Sequence, residues 1–105
     1  MKRGSASAAA SLESVDAGRT LVKGPLNFAT VGPLLAAGSE AIAADKAREI
    51  DLAGVPAGDS AGLALMLEWL SVARAAGRPL HFLNIPAQFL QLARLTGLEP
   101  LLTAA

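Results

Sequence analysis

A single histidine, His81, and the nearby polar set Asp51, Asp59 and Ser60 are the side chains of this sequence best suited to act on a ligand or a partner. A metal centre draws on several His, Cys or carboxylate ligands at fixed spacing. The sequence has no Cys, no HxxxH spacing and no His/Glu cluster, and His81 lies between Leu80 and Phe82. It is therefore read as a strand residue without a metal or catalytic role. Paired carboxylates do acid–base work only beside a nucleophile or a metal. With neither in sight, Asp51 and Asp59 are read as a loop residue and a cap residue. No Walker-type Gly-rich loop is present, so neither ATP nor any other cofactor is expected.

What remains is the run Asp59-Ser60-Ala61-Gly62, just ahead of a long apolar-periodic stretch. An Asp or Ser in that position is a helix N-cap, its oxygen accepting an N–H that the helix leaves unpaired. The same terminus carries positive partial charge and free N–H groups, which suit a polar or anionic contact from a partner. Gly62 is expected to let a partner backbone approach, and Gly58 to keep the preceding loop narrow. Ala61 and Gly62 also suit close packing of helix on strand, and both uses are compatible. Trp69 lies seven residues after Gly62, on the same face. A lone Trp belongs to a core more often than to an interface, and Trp69 is read as core. The helix is apolar around most of its circumference, so part of that surface is expected to meet a partner.

The elements that place these residues follow from periodicity. Ser11 to Val15 and Arg19 to Lys23 read as two strands joined by the Asp16-Ala17-Gly18 turn, and Gly24-Pro25 ends the second. Thr30 to Ala44 reads as a helix with Thr30 as N-cap and Pro33 in its first turn; Gly38 predicts a kink or a split. Arg48 to Leu52 is the next strand, with Ile50 and Leu52 on one face. After the loop Gly54 to Gly58, the clearest helix spans Ser60 to Ala76, with Arg74 in its last turn and Gly77 closing it. Glu68, Ser71 and Arg74 mark its wet face. Leu80 to Asn84 reads as a buried-type strand. Pro86 opens a last helix to Thr96, with Gln88, Gln91 and Arg94 outward and Phe89, Leu90 and Ala93 inward. Leu98 to Leu102 is an apolar tail expected to pack back. Strands joined through helices imply right-handed parallel crossovers, and the opening hairpin adds an antiparallel edge.

Length and composition limit the function classes. The chain has 105 residues, room for one domain, and its 52% hydrophobic content is too high for a disordered chain. Nine basic residues balance nine acidic ones, so the electrostatic footprint of nucleic-acid binding is missing. The longest apolar run, Ala61 to Leu67, stops at Glu68, far short of the ~20 residues of a bilayer span. Met1-Lys2-Arg3 is followed by Ser and Ala rather than an apolar signal-peptide core, so residues 1–10 are expected to form a flexible tail and residues 11–105 one domain. A soluble protein with no membrane insertion of its own is expected.

The segment Ile50-Asp51-Leu52-Ala53-Gly54-Val55 followed by Asp59-Ser60-Ala61-Gly62-Leu63 resembles the signature of STAS domains, a strand I-D-L-x-x-V leading to D-S/T-x-G-L at a helix start. Gly77-Arg78-Pro79-Leu80 is similar to the family's entry to the next strand, and Leu95-Thr96-Gly97-Leu98 to the end of its last helix. The resemblance spans roughly residues 11 to 102. It implies an α/β fold: a mixed sheet of about four to five strands with three or four helices, largely on one side. It also implies a docking role without catalysis. Two groups within the family are close. In anti-sigma-factor antagonists the hydroxyl residue just before the Gly accepts phosphate from a partner kinase; here that position is Ala61, and Ser60 is the candidate phosphoacceptor. In the STAS subunits of the lipid-asymmetry (Mla) transporter, a hydroxyl residue directly follows the Asp, as in Asp59-Ser60. Leu26-Asn27-Phe28-Ala29-Thr30-Val31 and Gly62 to Leu70 also resemble that group. This second likeness implies binding to the cytoplasmic ATPase of an ABC phospholipid transporter through Asp59, Ser60, Ala61 and Gly62, and a place in the cytoplasm at the inner membrane, held there by that partner.

Overall fold

The structure, a computed structural model, describes residues 9–103. Most of the expected tail, residues 1–8, lies outside the described residues. Strands β1 (Ser11–Asp16) and β2 (Gly18–Lys23) form the expected antiparallel hairpin, with Leu12 opposite Val22. Helix α1 (Val31–Ala43) leads to β3 (Ala47–Gly54), and α2 (Ser60–Ala76) to β4 (His81–Leu83). Helices α3 (Ala87–Leu95) and α4 (Glu99–Thr103) complete the chain. The sheet order is β1-β2-β3-β4, with the β2–β3 and β3–β4 pairs parallel. This is the mixed α/β sheet expected from the sequence.

Strand alternation sorts the side chains between two faces. Val22, Ile50 and Leu52 enter one core with Leu34 and Ile42 of α1 and Met66 and Trp69 of α2. Arg19, Leu21 and Asp51 belong to the opposite face by the same alternation.

Two aromatic rings set how closely the helices approach. Trp69 is buried on the Gly38 backbone, where any Cβ would collide with the indole, and its Nε1–H donates to Leu35 O at 3.4 Å. The expected break at Gly38 therefore does not occur: α1 runs unbroken through it. The cost of a helical Gly, about 1 kcal/mol, is offset by the ring it admits. Phe89 of α3 is likewise buried against Gly58 and Gly62.

Of the further expectations, one shrinks and one gains detail. The strand expected from Leu80 to Asn84 shrinks to three residues at the sheet edge, with Leu80 buried but His81 exposed. The apolar tail packs back as expected, winding into α4 and burying Leu102. Asp51 lies within β3, as the strand expected from Arg48 to Leu52 places it, and is buried rather than the loop carboxylate its chemistry suggests.

Candidate functional site

The site begins with how two loops are tied together. Leu26 N donates to Ala57 O and Asp59 N donates to Leu26 O, both at 3.0 Å, which joins the loop before α1 to the loop before α2. Thr30 stands at the N-cap position of α1, but its side chain makes no cap bond. Its hydroxyl instead donates to Pro25 O at 2.8 Å and accepts from Asn27 N at 2.9 Å. Asn27 Oδ1 accepts from Ala29 N at 2.9 Å. Loop polarity is thus consumed in holding the turn, and Phe28 at its tip is left 80% exposed.

On the other side of the junction, Asp59 is the true cap of α2. Its Oδ1 accepts from Ala61 N at 2.8 Å, and its carbonyl accepts from Gly62 N at 3.0 Å. The expectation of free N–H groups at this terminus is thereby corrected for Ala61 and Gly62, since Asp59 takes both. Ser60, the first helical residue, is exposed. Its hydroxyl has no hydrogen-bond partner among the described side chains, so it remains available to solvent or to another molecule.

Ala61 and Gly62 are both buried. A Cβ on Gly62 would come within 2.7 Å of Phe89 Cε1 and 2.9 Å of Leu26 Cβ. Gly58 is likewise held against Phe89 and the Leu26 carbonyl, and Gln88 Nε2 donates to the Gly58 carbonyl. The smallness of these glycines serves internal packing, not the approach of a partner backbone. It lets α3 sit close beneath the start of α2 and so fixes where Ser60 points out.

A shallow trough of about 200 Å³ runs between α1 and α2, lined by Phe28, Val31, Leu35, Ala61, Ala64 and Leu65, with Glu68 at its rim; it begins at Ala61, the residue after Ser60. The structure therefore brings Ala61 and the exposed Phe28 into one trough, with Ser60 one residue before Ala61 in the chain. It turns Gly62 inward and spends Asp59 on capping. Phe28 carries no signal that periodicity would find, because its exposure depends on the Asn27–Thr30 hydrogen bonds. Trp69 takes the core reading.

A second polar cluster lies across β2 and β3. Arg19 Nη2 donates to Asp51 Oδ2 at 2.7 Å, while Asn84 Nδ2 and Ala53 N each donate to Asp51 Oδ1 at 2.9 Å. The Arg19 guanidinium, then the Asn84 amide and the Ala53 N–H, hold the Asp51 carboxyl below the usual carboxylate range despite burial. Asn84 reaches it from a left-handed backbone, φ 55°. All of these bonds are internal, and the cluster ties β2, β3 and the end of β4 together. Among the described residues no three His, Cys, Asp or Glu side chains gather as a metal ion would require. None of the described helices is long and apolar enough to cross a membrane.

The sequence matches the protein family described as "Mlab, STAS domain" over residues 10–103. No curated protein matches it. Among solved structures, the Bacillus cell fate determinant SpoIIAA in its phosphorylated form is similar, with TM-score 0.65 and 23% identity over 87% of this chain and 86% of that one. The anti-sigma factor antagonist SpoIIAA in its unphosphorylated form gives TM-score 0.63 and 21% identity over 82% of each chain. Part of the murine Slc26a9 anion transporter in the inward-facing state is also similar, with TM-score 0.53 and 21% identity over 76% of this chain and 14% of that one. At these identities the likeness is one of fold.

Proposed function

The chain belongs to the STAS domain family, and on that footing we propose that it is a non-catalytic docking subunit for the cytoplasmic ATPase of an ABC-type phospholipid transporter. The observation that carries the docking reading is the pairing of an unengaged Ser60 hydroxyl with an apolar trough and an exposed Phe28. An aromatic ring left in water beside an apolar depression gains by burial, about 1.5–3 kcal/mol when complete. Ser60 adds a donor and acceptor that fix register, and Glu68 at the rim offers a charge to a cation of the partner. The loops arrive already tied by the Leu26–Ala57 and Leu26–Asp59 bonds, so little ordering is needed on binding.

The choice of an ABC ATPase rests on the family match and on the hydroxyl placed directly after Asp59. Residues 11–105 would act as one domain, held at the cytoplasmic side of the inner membrane through the ATPase. Co-expression with the cognate ATPase and pull-down on either subunit tests this directly. Recovery of a stoichiometric complex is expected; a native chain that purifies repeatedly without any ATPase would overturn it.

A second reading is favoured by one feature, the exposure of Ser60 at a helix start in a fold shared with an anti-sigma factor antagonist. Phosphorylation there would add roughly two negative charges beside Asp59 and repel an acidic partner. Ala61 supplies no hydroxyl at the position the antagonists use, which favours the first reading. Incubation with a candidate kinase and intact-mass measurement decides between them. The absence of a phosphate adduct under conditions that modify a known substrate removes the switch.

A further inference from the structure

We propose that a groove at the far end of α2 binds a single-chain anionic amphiphile, its hydrocarbon lying on leucines and its anionic head paired with Arg74 and Arg78. The groove is separate from the docking surface. Arg74 lies fourteen residues beyond Ser60 on the same helix, about 21 Å along its axis.

Helix endings shape this groove. Gly77 takes a left-handed conformation, φ 66°, with its N–H donating to Arg74 O, and Arg78 N donates to Ala73 O at 2.8 Å. This double bond pattern closes α2 and turns the chain back toward β4, placing Arg78 at the mouth. The end of α3 repeats it, with Leu98 N donating to Ala93 O at 2.7 Å, which brings Leu98 and then α4 to the opposite wall. Between them is a depression of about 670 Å³. That volume is within the range of small-molecule sites, about 300–1,000 Å³.

Its lining is divided by chemistry. Leu70, Leu80, Leu98 and Leu101 supply the apolar floor, and Leu101 is left 46% exposed. Arg74, Arg78 and His81 supply the polar rim, and no lining residue is acidic. Two nearby carboxylates are already engaged, Glu99 with Arg94 at 2.9 Å and Asp45 with Arg48 at 3.1 Å and, more loosely, Arg78 at 3.8 Å, whereas Glu49, opposite His81 in the β3–β4 pairing, is outside the lining and in no ion pair among the described residues. Arg74 has no carboxylate partner among the described residues. The groove therefore offers unneutralised guanidinium next to exposed leucine. Carboxylate or phosphate oxygens match the first and a hydrocarbon chain the second. A second copy of the chain fits less well, since a two-fold contact would set these arginines against each other.

The test is an NMR titration of the full chain with monododecyl phosphate below its micelle concentration, beside inorganic phosphate and dodecyltrimethylammonium. Saturable shifts at Leu70, Leu98 and Leu101 are expected with the dodecyl phosphate alone. Arg74→Glu should weaken binding about tenfold or more. Leu101→Asp, at an exposed position, should do the same while leaving the fold intact. Failure to saturate, equal binding of the cationic chain, equal binding of phosphate alone, or unchanged affinity in either variant would overturn the proposal. So would self-association of the chain that both variants abolish, which would assign the groove to a second copy.

Discussion

Asp51 and Ser60 stand nine residues apart, at the two ends of the passage from β3 into α2, and their polar atoms meet opposite fates. Asp51 accepts three hydrogen bonds inside the molecule, from Arg19, Asn84 and Ala53. Ser60 is exposed, its hydroxyl is unpartnered among the described side chains, and the next residue, Ala61, lines a trough with the exposed Phe28. A carboxylate whose oxygens are paired inside the molecule stabilises and orients, even though Arg19 Nε in the same cluster is buried without a partner; a polar group left over at an apolar edge is free to contact something else. The contrast separates the residue that holds the fold from the one that faces outward, although both lie in the stretch that carries the family signature.

Substitutions should split along that line. The largest effect is expected from Phe28→Asp, which should weaken binding to the ATPase by about 2–4 kcal/mol, or at least thirtyfold, with melting behaviour unchanged. Calorimetric titration and a thermal melt on the same sample check both halves. Asp51→Ala should do the reverse. It strands Arg19 and Asn84 and should cost about 1–3 kcal/mol in denaturant unfolding, with affinity retained among molecules that remain folded.

Acid sharpens the same point. The folded-state pKa of Asp51 lies below its unfolded value, so its contribution is complete above about pH 4 and fades as pH falls through the lower folded value. The acid limb of the stability curve should flatten in Asp51→Asn, as urea titrations between about pH 2 and 6 would show. Asp59→Ala removes only the cap of α2 and should lower stability by about 1 kcal/mol, measured the same way.

Much of this architecture is legible in the sequence because local chemistry and tertiary packing agree. Ser60 to Ala76 is bounded by Asp59 and Gly77, and both ends are where capping physics puts them. The hairpin turn at Asp16 to Gly18 is equally local. What the sequence hides depends on distant partners. Gly38 predicts a broken helix until Trp69, thirty-one residues on, occupies the space above it. The role of the Asp51 carboxylate is invisible until Arg19 and Asn84 reach it from other elements. Gly62 suggests an open surface, yet Phe89 fills it. The position of Ser60 at a helix start follows from spacing, whereas the exposure of Phe28 follows from hydrogen bonds that no periodicity encodes.

The affinity of Ser60→Lys for the cognate ATPase, measured by calorimetry, tests the docking surface most directly. Lysine there adds bulk and a positive charge at a helix start, at a cost in stability of less than about 1 kcal/mol. A drop in affinity of about tenfold in a folded variant is the expected outcome. Wild-type affinity in that variant would contradict it.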